Sequence, residues 1–90
     1  QRTGKLGEYA DMQINLSNYE SAQENYTRAL RIITSLENFA KKNGGSYYEA
    51  KALITKSKIL SKKGDKEKSE DILNKGKALA KSIGANDLLN

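Results

Sequence analysis

The chain has 90 residues and a formal net charge of +5, with no cysteine, histidine, proline or tryptophan. That length bounds it to one small domain. The missing residue types exclude disulfides, thiolate zinc sites, Cys or Ser–His nucleophiles and the imidazole proton shuttle.

The first helix is expected over about residues 3–16, with Leu6, Tyr9, Ala10, Gln13 and Leu16 on one stripe and Gln13 its one polar member. The second is expected over about 18–42, where Tyr19, Ala22, Tyr26, Ala29, Leu30, Ile33, Leu36 and Ala40 keep a spacing of three and four. At ~24 residues it would be ~36 Å long. Ser17 followed by Glu20 reads as the capping box that opens it. The third helix is expected over about 46–63, opened by Ser46 and Glu49, with Ala50, Leu53, Ile54, Ser57, Leu60 and Ser61 inward. Gly64–Asp65 ends it and caps the fourth, expected over about 65–84 with Ile72, Leu73, Gly76, Leu79, Ala80 and Ile83 inward. Leu88 and Leu89 in the tail are placed to cover part of the last hairpin.

No period-two alternation persists, so nothing reads as a strand. Short links between helices force antiparallel neighbours. The expected fold is therefore all-α: two tandem antiparallel helical hairpins in a single domain over residues 1–90, with repeats at about 3–42 and 46–84 and a tail at 85–90. No apolar run is long enough to span a bilayer and no secretory signal is visible, which points to a cytoplasmic protein without membrane contact. A chain that opens on Gln1 is expected to be a fragment of something longer.

The two hairpins look alike. Tyr19, Ala22, Tyr26, Ala29 and Leu30 can be set beside Lys66, Ser69, Leu73 and Gly76, placing a bulky residue between two small ones each time. Small residues let two helices approach, and the bulky one fills the gap between layers. This pattern resembles the tetratricopeptide repeat, a helix–turn–helix unit that stacks into an α-solenoid. Ala10 stands at the family's small position in the first helix, and Gly64–Asp65 at the turn of the second unit. Ser57, Ser69 and Gly76 match small positions, and Leu53, Leu60 and Leu73 large ones. Gln13 replaces the usual tyrosine, Ser17 the turn glycine, and the closing proline is missing. The offset between units is about 47 residues in this alignment, longer than the family's ~34.

The resemblance implies a protein-interaction module that holds a peptide or helix of a partner protein, with no catalytic residue, no metal and no cofactor. In such arrays the first helix of each unit lines the concave groove. That puts Asp11, Ile14 and Asn15 in the groove from the first unit, and Lys51, Ile54, Thr55, Lys58 and Lys62 from the second. The lysines recur after seven and then four residues, which returns them to one side of a helix. The basic excess also lies in this half: residues 46–90 carry ten Lys/Arg against six Asp/Glu, and residues 1–45 six against five. An acidic partner would be steered by such a groove; a solvated lysine face is the simpler account. The family's chaperone-tail clamp is not expected, because of its set only Lys51 is in place, Asn15 is displaced and Thr55 stands where an arginine would.

Two other roles compete. One is self-association, as a homodimer or as a scaffolding segment of a multidomain signalling or transcriptional regulator, since two units leave an apolar face uncovered. The other is nucleic-acid binding through the basic half, against which stand scarce arginine there and no aromatic platform. Tyr47–Tyr48 is a candidate contact pair, with one tyrosine packing on the preceding helix as the plainer alternative.

Overall fold

In the computed structural model, which describes residues 2–89 and the side chains of residues 5–89, four helices follow one another. They are α1 (Arg2–Ala22), α2 (Tyr26–Lys42), α3 (Ser46–Lys63) and α4 (Lys66–Ser82), with a 3-10 turn at Asn86–Leu88. Gln1, which opens the chain, and Asn90, the last residue of the expected tail, lie outside the described residues. Each helix packs on the next, and α3 also touches α1, so α3 is the central element.

The first helical boundary is not at Ser17. α1 continues to Ala22, and residues 23–25 form the turn. Ser17 is fully buried and its hydroxyl donates to the Ile14 carbonyl at 2.9 Å, a bond that a mid-helix serine makes to the preceding turn. Glu20 does not complete a capping box; it ties the turn from inside. Its carboxylate accepts from Asn25 Nδ2 at 2.9 Å, and its carbonyl accepts from the Asn25 N–H at 2.8 Å. Arg28 Nε lies 3.7 Å from the same carboxylate. Accordingly α2 begins at Tyr26 and has 17 residues, not the long helix expected from residue 18. At the third helix Gly45 is the cap residue and Ser46 the first helical one, so the expected Ser46–Glu49 capping box is not formed.

The turns set the true period. Glu24, Gly44, Gly64 and Gly84 all have positive φ (64°, 73°, 101° and 73°), so a left-handed residue recurs every twenty positions. The repeat is therefore forty residues long, not 47, and Ala29, Ile33 and Leu36 correspond to Ser69, Leu73 and Gly76. Ala10 pairs with Ala50, Ile14 with Ile54, Ser17 with Ser57 and Ala40 with Ala80 under the same shift.

The main core joins Ala10 and Ile14 of α1, Ala29, Ile33 and Leu36 of α2, and Ala52 and Ile59 of α3, with Tyr26, Leu30 and Tyr48 packed on it. The inward stripe of α1 is thus Gly7, Ala10, Ile14, Ser17 and Ser21, mostly small, and the expected members Tyr9 and Leu16 are exposed. Small side chains draw α1 close to its neighbours and leave its large ones outside. A second cluster joins Ala50, Ala80 and Ala85, covered by Tyr47, Leu79, Leu88 and Leu89; the tail leucines do pack on the last hairpin. Ser61 and Ile83, expected inward, are exposed. Lys56 Nζ and Glu37 Oε1, 3.3 Å apart and mostly buried, link α3 to α2. α3 and α4 approach closely: a Cβ placed on Gly76 would sit 3.0–3.3 Å from Ile54, Leu53 and the Ala50 carbonyl.

Candidate functional site: the α1–α3 face

Because α1 and α3 lie side by side as first helices of successive units, residues forty apart project from one surface. The ion pair between Lys51 Nζ and Asp11 Oδ1, 3.7 Å, crosses from one helix to the other on that surface. Asn15 is exposed on α1 beside it. Lys58 and Lys62 follow Lys51 along α3, both exposed and neither in an ion pair among the described residues. The structure therefore brings Asp11, Asn15, Lys51, Lys58 and Lys62 to one face.

The other three expected groove residues lie beneath it. Ile14 belongs to the main core. Ile54 turns towards α4, its Cγ1 being the nearest atom to a Cβ on Gly76. Thr55 is buried, and its hydroxyl donates to the Lys51 carbonyl at 2.9 Å. They brace the floor instead of offering apolar contact area.

Charge is distributed unevenly along the face. At the end near the start of α3, Lys51 has Asp11 beside it, and its ammonium lies 6.0 Å from the centre of the Tyr47 ring. The Tyr47 hydroxyl donates to Asp87 Oδ2 at 2.6 Å. That bond, with burial and the carboxylate's charge added, pushes the Tyr47 phenol up to about 12, because an anion would face an anion. This end is thus a neutralised network. At the other end Lys58 and Lys62 carry unopposed charge, with Lys62 also in the last turn of α3, where cations meet the helix dipole favourably.

A second feature escaped the sequence. A cleft of about 710 Å³ opens at the end of the bundle where α1 and α3 begin and α2 and α4 finish, lined chiefly by Leu6, Tyr9, Phe39, Tyr47, Tyr48 and Ile83. Tyr9 and Phe39 meet at 5.0 Å between ring centres, and Tyr47 and Tyr48 at 5.1 Å edge-on. Tyr48 packs on the main core with its hydroxyl over Gly7 of α1. The signal that could have revealed the cleft is the small-residue stripe of α1, which implies that Tyr9 points elsewhere.

No group of three or more Asp or Glu side chains that could hold a metal ion occurs among the described residues, and no helix among them is long and apolar enough to cross a membrane. A family model of the tetratricopeptide repeat matches residues 6–35 and 45–83. The chain belongs to the tetratricopeptide repeat family. No curated protein and no solved structure matches it. The two matched segments start at α1 and at α3, in agreement with hairpins α1–α2 and α3–α4 as the units. Tetratricopeptide repeats are protein-interaction modules and not enzymes.

Proposed function

We propose that this tetratricopeptide unit pair holds an acidic segment, peptide or helix, of a partner protein along the α1–α3 face. The observation that carries the reading is the polarity of that face. Asp11 already balances Lys51, while Lys58 and Lys62, about two and three turns further on, have no acid opposite them among the described residues. A ligand carboxylate at that end would replace water at two cations held on a helix whose core side is fixed by Ile59 and Leu60. Asp11, Asn15, Lys51, Lys58 and Lys62 are the contact residues, and Ile14, Ile54 and Thr55 act by supporting the floor. Surface charges of this kind contribute steering and specificity more than raw affinity.

The test is fluorescence anisotropy with a labelled glutamate-rich amphipathic peptide, its lysine-rich counterpart and a single-stranded oligonucleotide. The acidic peptide should bind, with affinity falling as salt screens the charges. Lys58→Glu/Lys62→Glu should weaken it by ~10-fold or more, the size expected from removing and reversing two rim charges. Lys66→Glu/Lys77→Glu, on the outer surface of α4, should leave it nearly unchanged. Equal losses from both pairs would reduce the effect to net charge, and equal binding of the oligonucleotide would overturn a peptide groove.

A further inference from the structure

We infer that Asn43, followed by Gly44 in the turn between α2 and α3, is a self-modification site that converts to aspartate and isoaspartate through a cyclic imide. The reaction needs the next residue's backbone nitrogen to attack the asparagine carboxamide. A side chain on that next residue shields its nitrogen, and glycine has none. Asn15, Asn18, Asn25, Asn38, Asn74 and Asn86 are followed by leucine, tyrosine, phenylalanine, lysine or aspartate, whereas Asn43 is followed by glycine.

The turn leaves the reacting atoms free. Asn43 and Gly44 are both exposed, and a Cβ on Gly44 would meet nothing within 4 Å, so water and base reach the Gly44 nitrogen from open space. The other three positive-φ residues use their N–H groups: Glu24 donates to the Ser21 carbonyl, Gly64 to those of Leu60 and Ser61, and Gly84 to that of Lys81. The Gly44 N–H makes no backbone hydrogen bond among the described residues. Asn15, Asn18, Asn38 and Asn74 lie inside helices, where the next N–H is tied to a carbonyl of the preceding turn. Attack requires rotation about the Asn43 Cα–C bond, away from its ψ of 13°, to bring the Gly44 nitrogen over Cγ. Two bonds resist. Asn43 Nδ2 donates to the Phe39 carbonyl at 2.8 Å, and the Gly45 N–H to the Ala40 carbonyl at 2.8 Å. Both lie at the end of α2, the first of them exposed, and helix ends open most readily.

The Gly44 nitrogen bonds to Asn43 Cγ and gives its proton to solvent base, and the carboxamide nitrogen leaves as ammonia. Water then opens the ring. Opening at Cγ gives aspartate. Opening at the α-carbonyl gives isoaspartate, with the main chain running through the former side chain. The balance is one water in and one ammonia out, with no oxidant or cofactor. Both products remove the donor to Phe39 and put a negative charge at the C-terminal end of α2, where the helix dipole opposes it. Lys41 and Lys42 offset part of that charge. Isoaspartate also adds a methylene to the main chain, so the Gly45 N–H no longer meets the Ala40 carbonyl in register. Asn43 and Gly44 join the α1–α2 unit to the α3–α4 unit and line the aromatic cleft. Conversion is therefore a one-way loosening of the joint between units.

Incubation of the folded 90-residue chain in mildly alkaline buffer, followed by tryptic mass mapping, tests the site. Digestion is run at mildly acidic pH, where the ring forms slowly. Cleavage after Lys42 and Lys51 releases a peptide, residues 43–51, whose one asparagine is Asn43. That peptide should be the first to show the mass gain of amide-to-acid exchange, as two chromatographic products, aspartate and isoaspartate. The acidic species should disappear in Asn43→Gln, whose ring would be one atom larger. The isoaspartate form, separated by ion exchange, should unfold at lower urea than the unmodified chain. Three results would overturn the inference. One is conversion in the urea-unfolded chain with Asn43 intact in the folded one, which means that the turn protects it. Another is conversion spread evenly over the asparagines. The third is aspartate without isoaspartate, which means direct hydrolysis and no ring.

Discussion

Gly76→Ala isolates how closely α3 and α4 approach. On an exposed helix the change would stabilise by ~1 kcal/mol, because alanine is the better helix former. Here the added Cβ would lie 3.0 Å from Ile54 Cγ1, 3.1 Å from Leu53 Cβ and 3.3 Å from the Ala50 carbonyl. Two of those atoms belong to or adjoin the backbone of α3, so they cannot swing aside, and the helices must separate. Overpacking of this kind costs ~1–3 kcal/mol. The net expectation is a destabilisation of about 1 kcal/mol, or a fall in Tm of about 4–8 °C in a domain of this size. Urea and thermal unfolding followed by circular dichroism measure it. Gly7→Ala is the control, because its new Cβ would meet no backbone but only the far end of the Tyr48 side chain, the hydroxyl at 2.7 Å and Cζ at 3.5 Å. Gly7→Ala should be neutral or stabilising by up to ~1 kcal/mol. If Gly76→Ala stabilises as Gly7→Ala does, the close helix approach is not a constraint and the reasoning fails.

Glu24→Gly should stabilise by ~0.5–1 kcal/mol in the same unfolding assays, because Glu24 holds φ 64° at a turn whose three counterparts are glycine. Ser21→Ala should also stabilise, by about 1 kcal/mol, since the Ser21 hydroxyl is buried without a hydrogen-bond partner. Tyr47→Phe tests the Asp87 bond. With the native phenol pushed up from its ordinary value of 10.0 to about 12, the unfolded chain ionises first as pH rises. The stabilisation that Tyr47 provides should be complete below pH 10 and lost between pH 10 and about pH 12. Stability of the wild type relative to Tyr47→Phe, measured by urea unfolding across that range, should therefore decline. A difference that stays constant with pH would show that the hydrogen bond to Asp87 is not made in solution.

The fold class was legible because helix signals are local. Propensity, the absence of proline and the glycines at positions 44, 64 and 84 mark three of the four turns. The fourth was misplaced because Glu24 does a glycine's work without looking like one. Once that turn was missed, Ser17 and Glu20 offered a capping box nearby, and the resulting register shifted the repeat from forty residues to 47. The same slip put Tyr9 and Leu16 inside, since they are the large residues on a helix whose true inner side is small. Lys51, Lys58 and Lys62 share one side of α3, as their spacing predicts, because helical spacing survives an error in the turn. Their partners were not, since the Asp11 ion pair and the Tyr47–Asp87 bond depend on tertiary contacts, the second between residues 40 apart in sequence.

The two ends of this unit pair are chemically unlike. Under the forty-residue shift, Tyr26 and Leu30 of α2 become Lys66 and Glu70 of α4, so α4 presents water with a polar surface where α2 presents α3 with an apolar one. At the other end the shift runs the opposite way. Ala52 and Lys56 of α3 become Met12 and Leu16 of α1, so a position filled by a small residue or an ion pair inside the bundle is larger and more apolar at its edge. Exposure alone would favour the reverse, because a solvated helix gains nothing from extra apolar area. The three lysines lie on α3, and the apolar edge residues Met12 and Leu16 on α1. Leu16→Glu should leave acidic-peptide binding unchanged, since Leu16 is not one of the proposed contact residues. Loss of binding in Leu16→Glu would mean that the acidic segment also covers the apolar edge of α1.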